Sequence, residues 1–182
     1  MSVDEPPVVA RTLAEAYVHL DLVLERPGSQ DVAPPVEGAD GWVVATGGHR
    51  VAVPYAGELA ARKAGLMFGE GRSALIDCGQ WAIIGAVHAR RALERDVLGG
   101  GGAKSDQDYG AIVAGWQLAV AALGEALAFV PEDADEAPDT AFWTETGRRA
   151  RADDPGRFTR RRLEDDLGFF QRNLDDVQHL HD

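Results

Sequence analysis

Leu98-Gly99-Gly100-Gly101-Gly102-Ala103-Lys104-Ser105 is the stretch on which the fold turns. It looks like a phosphate-binding loop, G-x-x-x-x-G-K-[ST], whose glycines let backbone amides wrap phosphate oxygens. Leu98 and Ala103, however, occupy the two positions that this pattern reserves for glycine. Arg90 to Val97, just before the run, are charged and helical in pattern, where a phosphate loop would follow a buried strand. Asp106 and Asp108, just after it, would repel phosphate. The run therefore predicts a flexible joint between two helices, with Lys104 exposed, and no nucleotide site.

Outward from this joint lie the two longest helical patterns. On one side Ser73 caps a predicted helix to about Leu98, apolar nearly all round from Ala74 to Val87 and amphipathic thereafter. On the other, Ser105-Asp106-Gln107-Asp108 resembles a capping box. Tyr109, Ile112, Trp116, Val120, Leu123, Leu127 and Val130 follow at alternating three- and four-residue spacing, until Pro131. These segments, about 73–98 and 109–130, predict an antiparallel core pair. Between Tyr109 and Val130 the only charge is Glu125, but alanine and glycine dominate, and a membrane span is not expected.

The remaining segments fit around that pair. Residues 8–25 predict a helix started by Asp4-Glu5-Pro6-Pro7, although Val18 to Leu22 also alternates as a strand would. Trp42 to Thr46, Gly47-Gly48 and His49 to Val53 predict a β-hairpin, with Trp42 facing Val53 and Val44 facing Val51. Whether residues 18–25 add a third strand is left open. Ala56–Phe68 predicts a short helix, and about Pro155–His179 a last one, with Leu163, Leu167, Phe170, Leu174 and Val177 on its seam. The expected fold is α+β and predominantly α-helical, a helical bundle with one hairpin at about 42–53. A single domain, 1–182, is expected, with a flexible N-terminus 1–6 and loops at 27–40, 99–107 and 131–141.

Composition narrows the function classes. The 182 residues carry 30 acidic and 18 basic side chains, a formal net charge of −12. Such a field disfavours nucleic acid and anionic membrane and favours basic partners. One cysteine, Cys78, leaves no intramolecular disulfide and no thiolate set for zinc. A polar, acidic, proline-bearing start predicts a cytoplasmic location. Lys63 and Lys104 are the only lysines, an arginine bias that points to a GC-rich genome.

Few residues suggest chemistry. Asp77 and His88 share a face of the central helix, but eleven residues of helix is roughly 16 Å, too far for a direct acid–base pair. His19, His49, Asp77 and His88 are the catalytic or metal-ligand candidates, with His179 and His181 at the terminus. No histidine pair has the i, i+4 helical spacing of common zinc sites, so neither a metal nor a cofactor is expected. Cys78 reads as a small core residue. Arg148, Arg149, Arg151, Arg157, Arg160, Arg161 and Arg162 form a basic stretch that suits a partner or nucleic acid. Blandly read, it neutralises the acidic run 132–139.

Several segments carry a resemblance. Phe129-Val130-Pro131, Ala141-Phe142-Trp143-Thr144-Glu145, Asp154-Pro155-Gly156-Arg157-Phe158 and Arg161-Arg162-Leu163-Glu164 look similar to an uncharacterised family of small, acidic actinobacterial proteins. Thr12-Leu13-Ala14-Glu15-Ala16-Tyr17, Leu20-Asp21-Leu22 and Gly79-Gln80-Trp81 fit the same pattern. Members often carry paired, zinc-ribbon-like cysteines after the first helix, where this chain has Pro27-Gly28-Ser29-Gln30. The resemblance permits an immunity-type role in interbacterial toxin systems.

The leading expectation is a non-enzymatic, cytoplasmic binding protein, an immunity or inhibitory partner of a basic protein. The alternative is a metal-dependent or other enzyme with a site gathered from His19, His49, Asp77 and His88. A third is nucleic-acid binding through Arg148–Arg162. The oligomeric state is open.

Overall fold

The computed structural model describes residues 7–25, 33–98 and 105–179. The Gly99–Gly102 joint, Lys104, the 1–6 terminus and His181 lie outside the described residues, as does part of the 27–40 loop. The fold is α+β and mainly helical, with six α-helices and a four-stranded mixed sheet among the described residues. The chain divides into two compact units, Met1–Ile76 and Asp77–Asp182.

In the first unit the hairpin forms in the expected register. Strands β3 (Gly41–Thr46) and β4 (His49–Pro54) pair Trp42 with Val53 and Val44 with Val51. The two-residue turn needs positive φ at both positions, and Gly47 (57°) and Gly48 (83°) supply it without steric cost. An isolated hairpin is marginal in water. Two short strands extend it, β1 (Val8–Val9) parallel to β4 and β2 (Val36–Glu37) antiparallel to β3, in the order β1-β4-β3-β2.

The first helix, α1 (Leu13–Val23), starts five residues later than the proline-bearing lead suggested. Val8 and Val9 are claimed by β4, and Thr12 opens the helix by accepting the Glu15 N–H on its Oγ1 at 3.2 Å. Residues 18–23 are helical, not a third strand, and put Leu20 into a core with Ala10, Ala16, Val44, Val51 and Val53. Helix α2 (Tyr55–Ala64) follows β4 directly and ends four residues short of the expected Phe68.

In the second unit, α3 (Cys78–Leu98) packs antiparallel on α4 (Asp106–Leu127). Gly85 lies against Ala119 and Leu123, and Gly115 against Ala92. The α3 start differs from expectation. Ser73 accepts the Leu75 and Ile76 N–H groups in a separate turn, and the helix itself begins after Asp77. Ser105 caps α4 as expected, accepting the Asp108 N–H at 3.1 Å. Ile112, Trp116 and Leu123 are buried with Ala119, Ala122 and Ala126. By length and composition alone α4 could cross a membrane, its mean hydropathy reaching 1.4 against the weaker apolarity expected. Here it packs on α3 and α6.

Helix α5 (Glu145–Asp153) had no clear periodic signal, because seven of its residues are polar or glycine, and it was not expected. Helix α6 (Arg160–His179) follows a 3-10 turn at Pro155–Phe158 rather than starting at Pro155. Its Phe170, Leu174 and Val177 cover the core cluster of Ala89, Ala92, Ile112, Trp116 and Ala119. Burial of apolar side chains in that three-helix contact contributes to the stability of this unit, alongside Trp81, Phe142, Phe158 and Leu163.

Gly147 in α5 approaches the buried Asp77 carboxylate so closely that a Cβ would fall inside its van der Waals shell. Gly79 in α3 sits against the Gly147 backbone, where a Cβ would meet Cα at 2.6 Å. A Gly147→Ala variant should lose on the order of 1–3 kcal/mol in urea unfolding, as over-packed sites do. Gly124→Ala, with open space at its Cβ position, should be neutral or gain up to about 1 kcal/mol. Equal midpoints for the two variants would refute the tight α3–α5 approach.

Candidate functional site

Asp77 is the sequence candidate with the densest set of hydrogen bonds, and these start helices. Its Oδ1 accepts the Gln80 N–H at 2.9 Å, and Gln80 Oε1 accepts the Asp77 N–H at 3.1 Å. That reciprocal pair is a capping box, and it starts α3. Its Oδ2 accepts the Thr144 N–H at 2.8 Å and the Thr144 hydroxyl at 2.7 Å. Thr144 in turn caps α5 by accepting the Gly147 N–H at 2.9 Å. Asp77 is fully buried, so a carboxylate there needs these donors to offset its lost hydration.

His88 stands apart from Asp77, half-buried along α3. Burial, and secondarily the charge of Arg91, push its pKa below the ordinary value of 6.5. Cys78 is buried with its Sγ 3.5 Å from the Ala126 carbonyl oxygen. Burial and the neighbouring Asp77 push its thiol up to about 12, the opposite of what a nucleophile needs.

In the first unit, His19 lies on α1 and His49 at the start of β4. Burial lowers the pKa of His19 below 6.5, Glu15 raises it, His49 lowers it, and a hydrogen bond to the Leu75 backbone raises it. Glu15, buried like Asp77, is held by Arg11, whose Nη2 donates to Oε1 at 2.8 Å and whose backbone N–H donates to Oε2 at 2.6 Å. No group of three or more His, Cys, Asp or Glu side chains is arranged to hold a metal among the described residues. An open groove of about 370 Å³ runs past Val9, Arg11, Pro54, Gly57, Gly69 and Glu70. Its walls are mainly small and apolar, and Arg11 is already engaged with Glu15 and the Gly71 carbonyl.

The arginine stretch is drawn into the fold. Arg160 donates through Nη2 to the carbonyls of Pro131 (2.6 Å) and Val130 (3.3 Å) and through Nε to Ala134 (3.3 Å). Arg157 donates to the Ala82 carbonyl of α3 at 2.8 Å, and Arg151 pairs with Glu136 at 3.2 Å. Arg148 donates to the Trp143 carbonyl. Arg149, Arg161 and Arg162 face Glu145, Asp165 and Asp166 one helical turn away. Arg151 and Arg160 therefore hold the 130–136 segment and Arg157 reaches α3, while Arg149, Arg161 and Arg162 stay exposed and pair within their own helices.

Two residues that matter were undervalued by pattern. Phe142 is buried against Phe158, ring centroids 4.8 Å apart, whereas its neighbour Trp143 is 40% exposed. The Trp143 ring rests on Phe129 at 5.8 Å. No family model matches the chain, and no curated protein or solved structure matches it.

Two outcomes follow from this geometry. Asp77→Asn keeps the shape but turns an N–H donor toward donors already present, so unfolding free energy should fall by about 1–3 kcal/mol in urea titration. An unchanged midpoint would remove Asp77 from its structural role. For His19 and His88 the folded-state pKa lies below the unfolded one, so their contribution is complete above about pH 6.5 and is lost as pH falls toward the lowered folded values. Between pH 7.5 and 5.5 the wild-type chain should lose stability more steeply than a His19→Gln/His88→Gln variant; parallel profiles would disprove this.

Proposed function

We propose that the chain is a non-enzymatic, cytoplasmic binding protein whose target is a basic protein, in the manner of an immunity or inhibitory partner. The observation that carries it is the fate of its ionisable groups. Arg148, Arg151, Arg157 and Arg160 are tied to carbonyls or to Glu136, the more exposed arginines are paired with carboxylates one helical turn away, and an acidic excess remains on the surface. The chain has 30 acidic against 18 basic residues, and all of Arg148 to Arg162 have acceptors within the second unit. Glu132, Asp133 and Asp139, by contrast, have no ion pair among the described residues and are exposed. A surface of that kind steers a cationic partner into encounter and rejects anionic ones.

The other two readings gain less support. Asp77 is committed to two helix caps, and Cys78 is held as a neutral thiol. Nucleic-acid binding would need guanidinium groups free to meet phosphate, whereas these are engaged with carbonyls and carboxylates. The resemblance to small actinobacterial proteins fits an immunity-type role.

Affinity capture with the full chain from lysate of its own source should recover a near-stoichiometric protein of high isoelectric point. An open reading frame next to its gene should encode a basic protein. Capture that yields only acidic or substoichiometric proteins would overturn the proposal.

A further inference from the structure

We infer that the face carrying Trp143 is the docking surface, and that its occupant is a basic segment of the partner protein; this rests on the basic-partner function proposed above. Trp143 and Phe169 are the two exposed Trp or Phe side chains among the described residues, and of these only Trp143 has acidic and no basic residues within four positions. Trp143 is 40% exposed, whereas Phe129, Phe142 and Phe158 around it are buried to 5% exposure or less. The ring is not a loose surface side chain. Phe129 supports one side of it, at 5.8 Å and a 55° tilt. The peptide that follows it is fixed at both its polar atoms, because the Trp143 carbonyl accepts from Arg148 and the Thr144 N–H donates to Asp77. An aromatic anchor already held in place loses little conformational entropy on binding, which is the property of an interface hot spot.

Charge selects the occupant. Within four residues of Phe129 or Trp143 the sequence places Glu125, Glu132, Asp133, Asp139 and Glu145, and no basic residue. Arg148 and Arg149 stand just beyond, one bonded to the Trp143 carbonyl and the other facing Glu145. The acidic excess is also greatest in this unit, where 20 acidic residues meet 12 basic ones between Asp77 and Asp182. A lysine or arginine of the partner can stack on the indole face while neighbouring cations meet the exposed carboxylates. An acidic or nucleic-acid partner would meet the same ring through repulsion.

The test uses the full chain and an oligolysine peptide as probe. Titration followed by ¹H–¹⁵N spectra should move the Trp143 indole N–H signal while those of buried Trp81 and Trp116 hold still. Trp143→Ala, with an unchanged circular dichroism spectrum, should weaken binding about tenfold. Glu132→Gln/Asp133→Asn/Asp139→Asn should weaken it further and flatten its salt dependence. The spectra of the wild-type chain decide the matter even if Trp143→Ala fails to fold. An unmoved Trp143 signal, or equal affinity of a folded Trp143→Ala variant, overturns this surface. If a basic partner is captured equally by wild type and Trp143→Ala, this surface is overturned and the proposed function stands. If no basic partner is captured, both fall.

Discussion

The buried carboxylate of Asp77 decides where two helices of the second unit begin and how near they lie. A fully buried carboxylate is tolerable only when donors replace its lost water, and helix N-termini are the densest local source of such donors. Asp77 takes one from Gln80 at the start of α3 and two from Thr144 at the start of α5. The N-terminal ends of both helices thus converge on one carboxylate, which satisfies orphan N–H groups of each. The geometry then propagates. With the carboxylate fixed, α5 must approach closely, and only a residue without Cβ fits at 147, nor is there room for one at 79. Neither glycine is in a positive-φ conformation, so space, not backbone freedom, dictates them.

From α5 the constraint continues into the arginine stretch. Arg151 reaches Glu136, and Arg160 ties the carbonyls of 130–134 to the start of α6. An isolated bridge between Glu136 and Thr159 and the Ala137 N–H to Phe158 carbonyl bond complete that tie. A guanidinium is suited to this work because its five donors lie in one rigid plane and several carbonyls can share them. A lysine could hold one or two of those carbonyls, not the set. Two residues of the basic run, Arg151 and Arg160, thus serve an irregular segment whose carbonyls and carboxylate need donors.

What could be read from the sequence was what local rules decide. The Gly47-Gly48 turn fixes a two-residue hairpin and hence the Trp42–Val53 and Val44–Val51 register. The three–four spacing from Ile112 to Leu123 fixes the buried stripe of α4. The errors arose where a distant partner overrode a local signal. Val8 and Val9 could have joined α1, yet β4 offered them a parallel partner. Ser73 is a good cap and does cap, but only a short turn, because the Asp77–Gln80 box four residues on is the stronger start. Asp77–Gln80 and Thr12–Glu15 both have the spacing of capping boxes, a local signal for these starts that the apolar periodicity does not carry. Helix α5 was not legible: its residues are polar, and its stability is borrowed from Asp77, Gly79 and Glu136.

The same distinction bears on Trp143. Sequence alone cannot separate it from Phe142, since adjacent aromatic residues before a helix cap read as one anchor. The cap at Thr144 settles which one turns inward. Once Thr144 N–H is bound to Asp77, Phe142 faces Phe158 in the core, and Trp143 is carried to the surface with only Phe129 behind it. An exposed indole would ordinarily be free to fold back onto apolar surface. Here the peptide joining Trp143 to Thr144 is held through its carbonyl by Arg148 and through its N–H by Asp77, so the backbone beneath the ring is anchored by the same carboxylate that organises the unit. A ring rooted in so fixed a peptide and backed by Phe129 has less backbone freedom to lose when a partner binds.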